Sequence, residues 1–157
     1  MHRNLWMGVT LLGALMLTIL PMPLWMAWSS PAWVLLTLLY WTMKLPHRMS
    51  LGIVWIIGIL LDLLSGTPVG EHAFALTVVM YCVFRIYMRL RMYPLLQQSL
   101  NIFFFVLLYQ FLLYCMQGFM DDLPNNPLYW LSSLTSMLCW PWLFFLMRED
   151  QLSLKLH

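Results

Sequence analysis

The chain has 157 residues, 62% of them hydrophobic and 9% charged, where an ordinary soluble domain carries about 25% charged residues. That balance excludes a soluble core, and a net charge of +2, with the basic residues scattered between apolar runs, excludes a nucleic-acid surface. At about 20 residues per crossing, the length allows one integral membrane domain over residues 1–157, all-α, with almost nothing outside the lipid.

The first apolar run, Leu5 to Leu20, follows His2 and Arg3 and ends at Pro21-Met22-Pro23. A signal peptide has the same basic start, an apolar stretch of about 7 to 15 residues and a small-residue exit, which Ala27-Trp28-Ser29 imitates. This run is longer, and Trp25, Trp28 and Trp33 read as an interfacial aromatic belt, so a retained helix over 5–24 is expected. Thr10, Ala14 and Thr18 recur every four residues, a small face of the kind that lets membrane helices approach closely.

Pro31 suits the first turn of a second helix, expected over 30–46 and closed by Lys44, Pro46, His47 and Arg48. A third is expected over 49–65. Both are short, so re-entrant elements stand as the alternative to full crossings of a thinned bilayer. The third run carries Asp62, the one acid embedded in apolar sequence, followed by Ser65, Gly66 and Gly70. A carboxylate costs roughly 2.5 to 3.5 kcal/mol at the centre of a membrane helix, and the C-terminal end of its own helix disfavours negative charge. Asp62 is therefore paired, protonated or at an aqueous mouth, and the two glycines mark places where the backbone turns or is closely approached.

Glu71 and His72 open the fourth helix, expected over 71–90, whose last turns carry Arg85, Arg89 and Arg91 for snorkelling to one interface. Pro94 breaks the chain before a fifth helix over 98–118. There Gln110, Tyr114 and Gln117 lie at i, i+4 and i+7 and so share one face, which must look into the bundle or at a partner. The stretch from Asp121 and Asp122 to Pro127 is a turn. The sixth helix, over 127–147, sets Ser132, Ser136 and Cys139 on one side, with Pro141 as an expected kink.

Six crossings place all eight Lys and Arg residues on one side and Glu71, Asp121 and Asp122 on the other, with Asp62 near the acidic side. By the positive-inside rule both termini are then cytoplasmic.

No GxSxG, HExxH, P-loop, GxGxxG or CxxC pattern is present, so no enzyme is expected. The histidines at 2, 47, 72 and 157 fall on both sides, and Cys82, Cys115 and Cys139 read as small packing residues; no metal or cofactor is expected. The converging polar groups are Asp62, Ser65, Glu71 and His72 at the outer mouth between the third and fourth helices. A structural role for Asp62, accepting hydrogen bonds from a loop or neighbouring helix, ranks ahead of proton or substrate handling.

Four stretches carry a family resemblance: Pro31-Ala-Trp-Val-Leu-Leu-Thr-Leu-Leu-Tyr-Trp41, Leu45-Pro-His-Arg48, Gly58-x-x-x-Asp62-Leu-x-Ser-Gly66-x-x-x-Gly70, and Trp140-Pro-Trp142 followed by Arg148. The chain resembles the bacterial rod shape-determining protein MreD family over nearly its whole length. The resemblance implies a six-helix protein of the bacterial inner membrane that is not an enzyme. It implies work in the cell elongation machinery beside MreC, as the most direct partner, MreB, and the polymerase RodA with its class B transpeptidase. It also implies a fold similar to the S components of vitamin transporters, which keeps a small-molecule or ion binding and transport subunit as the alternative function. A scaffold needs exposed small or polar helix faces, and Gln110, Tyr114, Gln117, Ser132 and Ser136 are the candidates for a partner interface.

Overall fold

The computed structural model describes residues 2–21, 23–24, 29–121 and 125–153. The aromatic positions Trp25 and Trp28, the exit-like Ala27-Trp28 and the turn residue Asp122 lie outside them. Six α-helices and one 3-10 turn make up the described chain, with no strand among the described residues: α1 (His2–Ile19), α2 (Trp33–Lys44), α3 (Leu51–Ser65), α4 (Glu71–Met92), α5 (Leu95–Phe119), the 3-10 turn Pro127–Trp130, and α6 (Leu131–Ser153).

Each apolar run has become a helix, but the boundaries move for local reasons. α1 ends at Ile19, ahead of Pro21, which cannot continue a helix. α3 starts at Leu51, after Ser50, whose Oγ accepts from Ile53 N–H at 3.4 Å, the usual work of an N-cap serine. α5 begins at Leu95, directly after Pro94, three residues before its expected start, because a proline is tolerated just ahead of a helix. Residues 127–130 are a 3-10 turn rather than the first turn of α6, and α6 runs on through Pro141.

The helices alternate in direction, so the bundle has two ends. Lys44, Arg48, Arg89 and Arg91 gather at one, together with the start of α1, where Arg48 Nη1 donates to Asn4 Oδ1. At the same end Lys44 Nζ lies 5.7 Å from the Phe144 ring, which binds α2 to α6 by a cation–π contact. Asp62, Glu71 and Asp121 stand at the other end.

Three stretches, Glu71–Met92, Leu95–Phe119 and Pro127–Arg148, are long and apolar enough to cross a membrane, while Asn4–Ile19 and Leu51–Ser65 are shorter apolar helices. α2 is shorter still: its 12 residues extend about 18 Å at 1.5 Å per residue. It has no lipid to face, since every residue from Val34 to Met43 is buried, as befits a helix that is apolar all round. α1, α4 and α6 surround it. Trp41 Nε1 donates to Thr10 Oγ1 at 2.8 Å, so the small face of α1 rests on α2. α3 and α4 approach closely where Gly58 meets Ala73.

Candidate functional site

The acidic end of the bundle is organised by the carboxylate of Asp62, which is fully buried. α3 ends because Gly66 adopts a left-handed conformation at φ 69°, and Thr67 N–H returns to the Asp62 carbonyl at 3.2 Å, closing a Schellman-type turn. Gly70 also has positive φ, 107°, and starts α4 without offering any side chain to cap it. The cap comes from the preceding helix. Asp62 Oδ2 accepts from Gly70 N–H at 2.8 Å and Ala73 N–H at 3.4 Å, and Oδ1 accepts from His72 N–H at 2.9 Å. The Thr67 hydroxyl donates to Oδ1 at 3.2 Å, and His72 Nδ1 lies 2.8 Å from the same oxygen.

This arrangement resolves the electrostatic difficulty of an acid at the end of its own helix. The side chain reaches across the turn to the positive N-terminal end of α4, where free amides and the helix dipole both favour a carboxylate. Asp62 thus works twice: its carbonyl closes α3 and its carboxylate opens α4.

The other expected site residues divide. Ser65 is exposed and no hydrogen bond joins it to this network among the described residues, so Thr67, which the sequence reading passed over, takes the place given to it. Glu71 and His72 do not converge. Glu71 is buried and its Oε1 accepts from Gln117 Nε2 at 2.7 Å, tying α4 to α5. Among the described residues, no three His, Cys, Asp or Glu side chains group as metal ligands.

Two of the five residues expected at a partner interface, Gln110 and Ser136, are buried inside the chain instead. Gln110 is buried and its Nε2 donates to the Tyr129 carbonyl at 2.8 Å, pinning the 3-10 turn to α5. Ser136 is buried and accepts from Ala32 N–H at 3.1 Å; Ser132 donates to the Ser30 carbonyl at 2.6 Å. Gln110 and Ser136 are therefore corrected from partner surface to internal joints: an amide or hydroxyl in lipid is best satisfied by a neighbouring turn. Tyr114, Gln117 and Ser132 remain partly exposed, and the Tyr114 ring lies 6.1 Å from Trp130. Tyr129, Ser30 and Ala32 were missed by the sequence reading, because their contributions are backbone groups that no side-chain pattern announces.

Polar groups spent on joining helices, within a bundle whose outer surface is apolar, define an integral membrane helix bundle built around a carboxylate-capped junction. A model of the rod shape-determining protein MreD family matches residues 2–149. The rod shape-determining protein MreD of Haemophilus influenzae is 34% identical over 147 residues, covering 92% of this chain and 89% of the relative. The chain belongs to the MreD family of rod shape-determining proteins. No solved structure matches it.

Proposed function

We propose that the chain is a non-enzymatic, multi-pass scaffold of the bacterial inner membrane. In this reading it holds MreC, and through it MreB and RodA with its class B transpeptidase, in one elongation assembly. Family membership across residues 2–149 carries the reading; the use of the polar side chains as internal joints supports it, since a rigid bundle with an apolar exterior is suited to packing against other membrane helices. The reading takes six crossings with both termini in the cytoplasm, and the orientation is supported by Lys44, Arg48, Arg89 and Arg91 at one end of the bundle and Glu71 and Asp121 at the other. Nothing in the comparisons supports the transport alternative.

The test is depletion in a rod-shaped host with complementation by the tagged chain at native abundance. Depleted cells should round, the tagged chain should restore rods, and MreC should copurify with it from gently solubilised membranes. Rod shape restored without any MreC on the purified chain would overturn the scaffold mechanism while leaving family membership in place.

A further inference from the structure

At the acidic end of the bundle lies a cavity of about 350 Å³, within the roughly 300–1,000 Å³ typical of small-molecule sites. Leu35 of α2, Leu61 of α3 and Leu113 of α5 give it apolar walls; His72, Tyr129 and Ser132 add polar edges. Thr18, exposed on α1, stands at its rim.

Three sets of polar groups along this cavity are left short of partners. α2 begins here with no cap from its own N-cap residue; Ser136 Oγ takes Ala32 N–H and the Pro31 carbonyl takes Trp33 N–H, so the first-turn amides of Val34 and Leu35, both buried and bordering the cavity, are the ones without an acceptor in their own helix. Gln110 also borders it and is 4% exposed. Its Nε2 is committed to Tyr129, whereas its Oε1 is buried with no partner. The Trp33 indole N–H, on a third bordering residue, is likewise buried with no partner. Native interiors rarely leave such groups unmatched unless something else supplies the match.

The charge environment restricts what that is. No Lys or Arg borders the cavity among the described residues, so an anion would enter without a counter-charge. The two acids of this end are already engaged, Asp62 by the N-terminal amides of α4, Thr67 and His72 and Glu71 by Gln117 Nε2, so a cation gains little. We infer that the cavity holds an uncharged amphiphile, its apolar body against Leu35, Leu61 and Leu113 and a hydroxyl- or carbonyl-bearing head at the start of α2 and at Gln110. The inference stands independently of the scaffold reading, since it requires only the cavity and its unmatched groups.

The probe is a diazirine-bearing monoacylglycerol at trace level in vesicles of phosphatidylethanolamine and phosphatidylglycerol that contain the full chain. After photolysis, adducts are mapped by peptide mass spectrometry. They should concentrate on the cavity walls of α2 and α5 and be displaced by unlabelled monoacylglycerol. Thr18→Trp, which plugs the rim from an exposed position, should lower them about tenfold by blocking entry, a loss of about 1.4 kcal/mol in apparent affinity. Leu113→Trp fills the cavity from within and should do the same, with an unchanged melting temperature as its folding control. A photoreactive phosphatidylglycerol should mark only outward residues such as Met16 and Leu138, both exposed. Adducts of the neutral probe spread over those outward residues, or wall labelling indifferent to Thr18→Trp, would overturn the site. Stronger wall labelling by the anionic lipid would overturn the uncharged class.

Discussion

Gly58 of α3 and Ala73 of α4 cross with no room for another carbon: a Cβ at position 58 would lie 2.3 Å from Ala73 Cα. The approach of these two backbones sets how far the Asp62 carboxylate must reach, four residues further along α3. Replacing Gly58 by Ala would gain about 1 kcal/mol of helix propensity but force the helices apart, and overpacking of this kind costs about 1–3 kcal/mol. Gly58→Ala should therefore lower the melting temperature in detergent. Gly13→Ala, where nothing lies within 4 Å of the added carbon, should be neutral or slightly stabilising, and equal behaviour of the two variants would contradict the crossing.

Both oxygens of Asp62 face donors, so an amide cannot replace the carboxylate without loss. In Asp62→Asn one side of the group turns its own N–H₂ toward Gly70 and Ala73 N–H or toward His72 N–H, leaving at least one buried donor unmatched at about 1–3 kcal/mol. Asp62→Leu strands all of them. Stability should fall in the order Asp, Asn, Leu, read as melting temperature, with shape complementation at matched abundance following the same order. An Asn variant as stable as the native chain but unable to complement would show that the carboxylate has a task beyond capping.

Glu71 and Gln117 form a pair 46 residues apart in the chain, and the bond between them is testable as a coupling. Removal of either partner leaves the other buried or half-buried without it, so each single alanine variant should cost about 1–3 kcal/mol. The double variant should cost clearly less than the sum. Strict additivity in thermal unfolding would show that the two side chains do not meet in the membrane-embedded protein.

Sidedness is open to chemical labelling once Cys82, Cys115 and Cys139 are replaced. Single cysteines at Ser65 and Asn125, both exposed at the acidic end, should react with an impermeant thiol reagent added to intact cells. One at His47, exposed at the basic end, should react only after lysis. Labelling of position 47 from outside would invert the orientation taken from the positive charges.

The six apolar runs, their Pro and Gly borders, and the weight placed on Asp62, Gly66 and Gly70 were all readable from residue order. The inward direction was not. In a soluble helix the polar face shows which side is out, but here lipid-facing residues such as Leu138 and Trp142 are as apolar as buried Leu36 and Leu39, so periodicity is silent. That is why Gln110 and Ser136 passed for partner surface. The central place of α2 was hidden for the same reason: twelve residues look like a deficient crossing until the helices around them are known. The cap on α4 was half legible, since the acid and the glycines stood out, whereas its donors are main-chain amides of Gly70, His72 and Ala73.

The burial of α2 bears on how the protein is made. Its short apolar stretch ends in Lys44, which makes it a weak candidate for insertion when it first leaves the ribosome. The groups that hold its beginning in place, Ser132 and Ser136, are synthesised about a hundred residues later. α2 should therefore gain its full set of contacts only once α6 has been made. Nascent chains halted before α6 should be recognised as unfinished and degraded even though α4 and α5 are already long and apolar enough to remain in the bilayer.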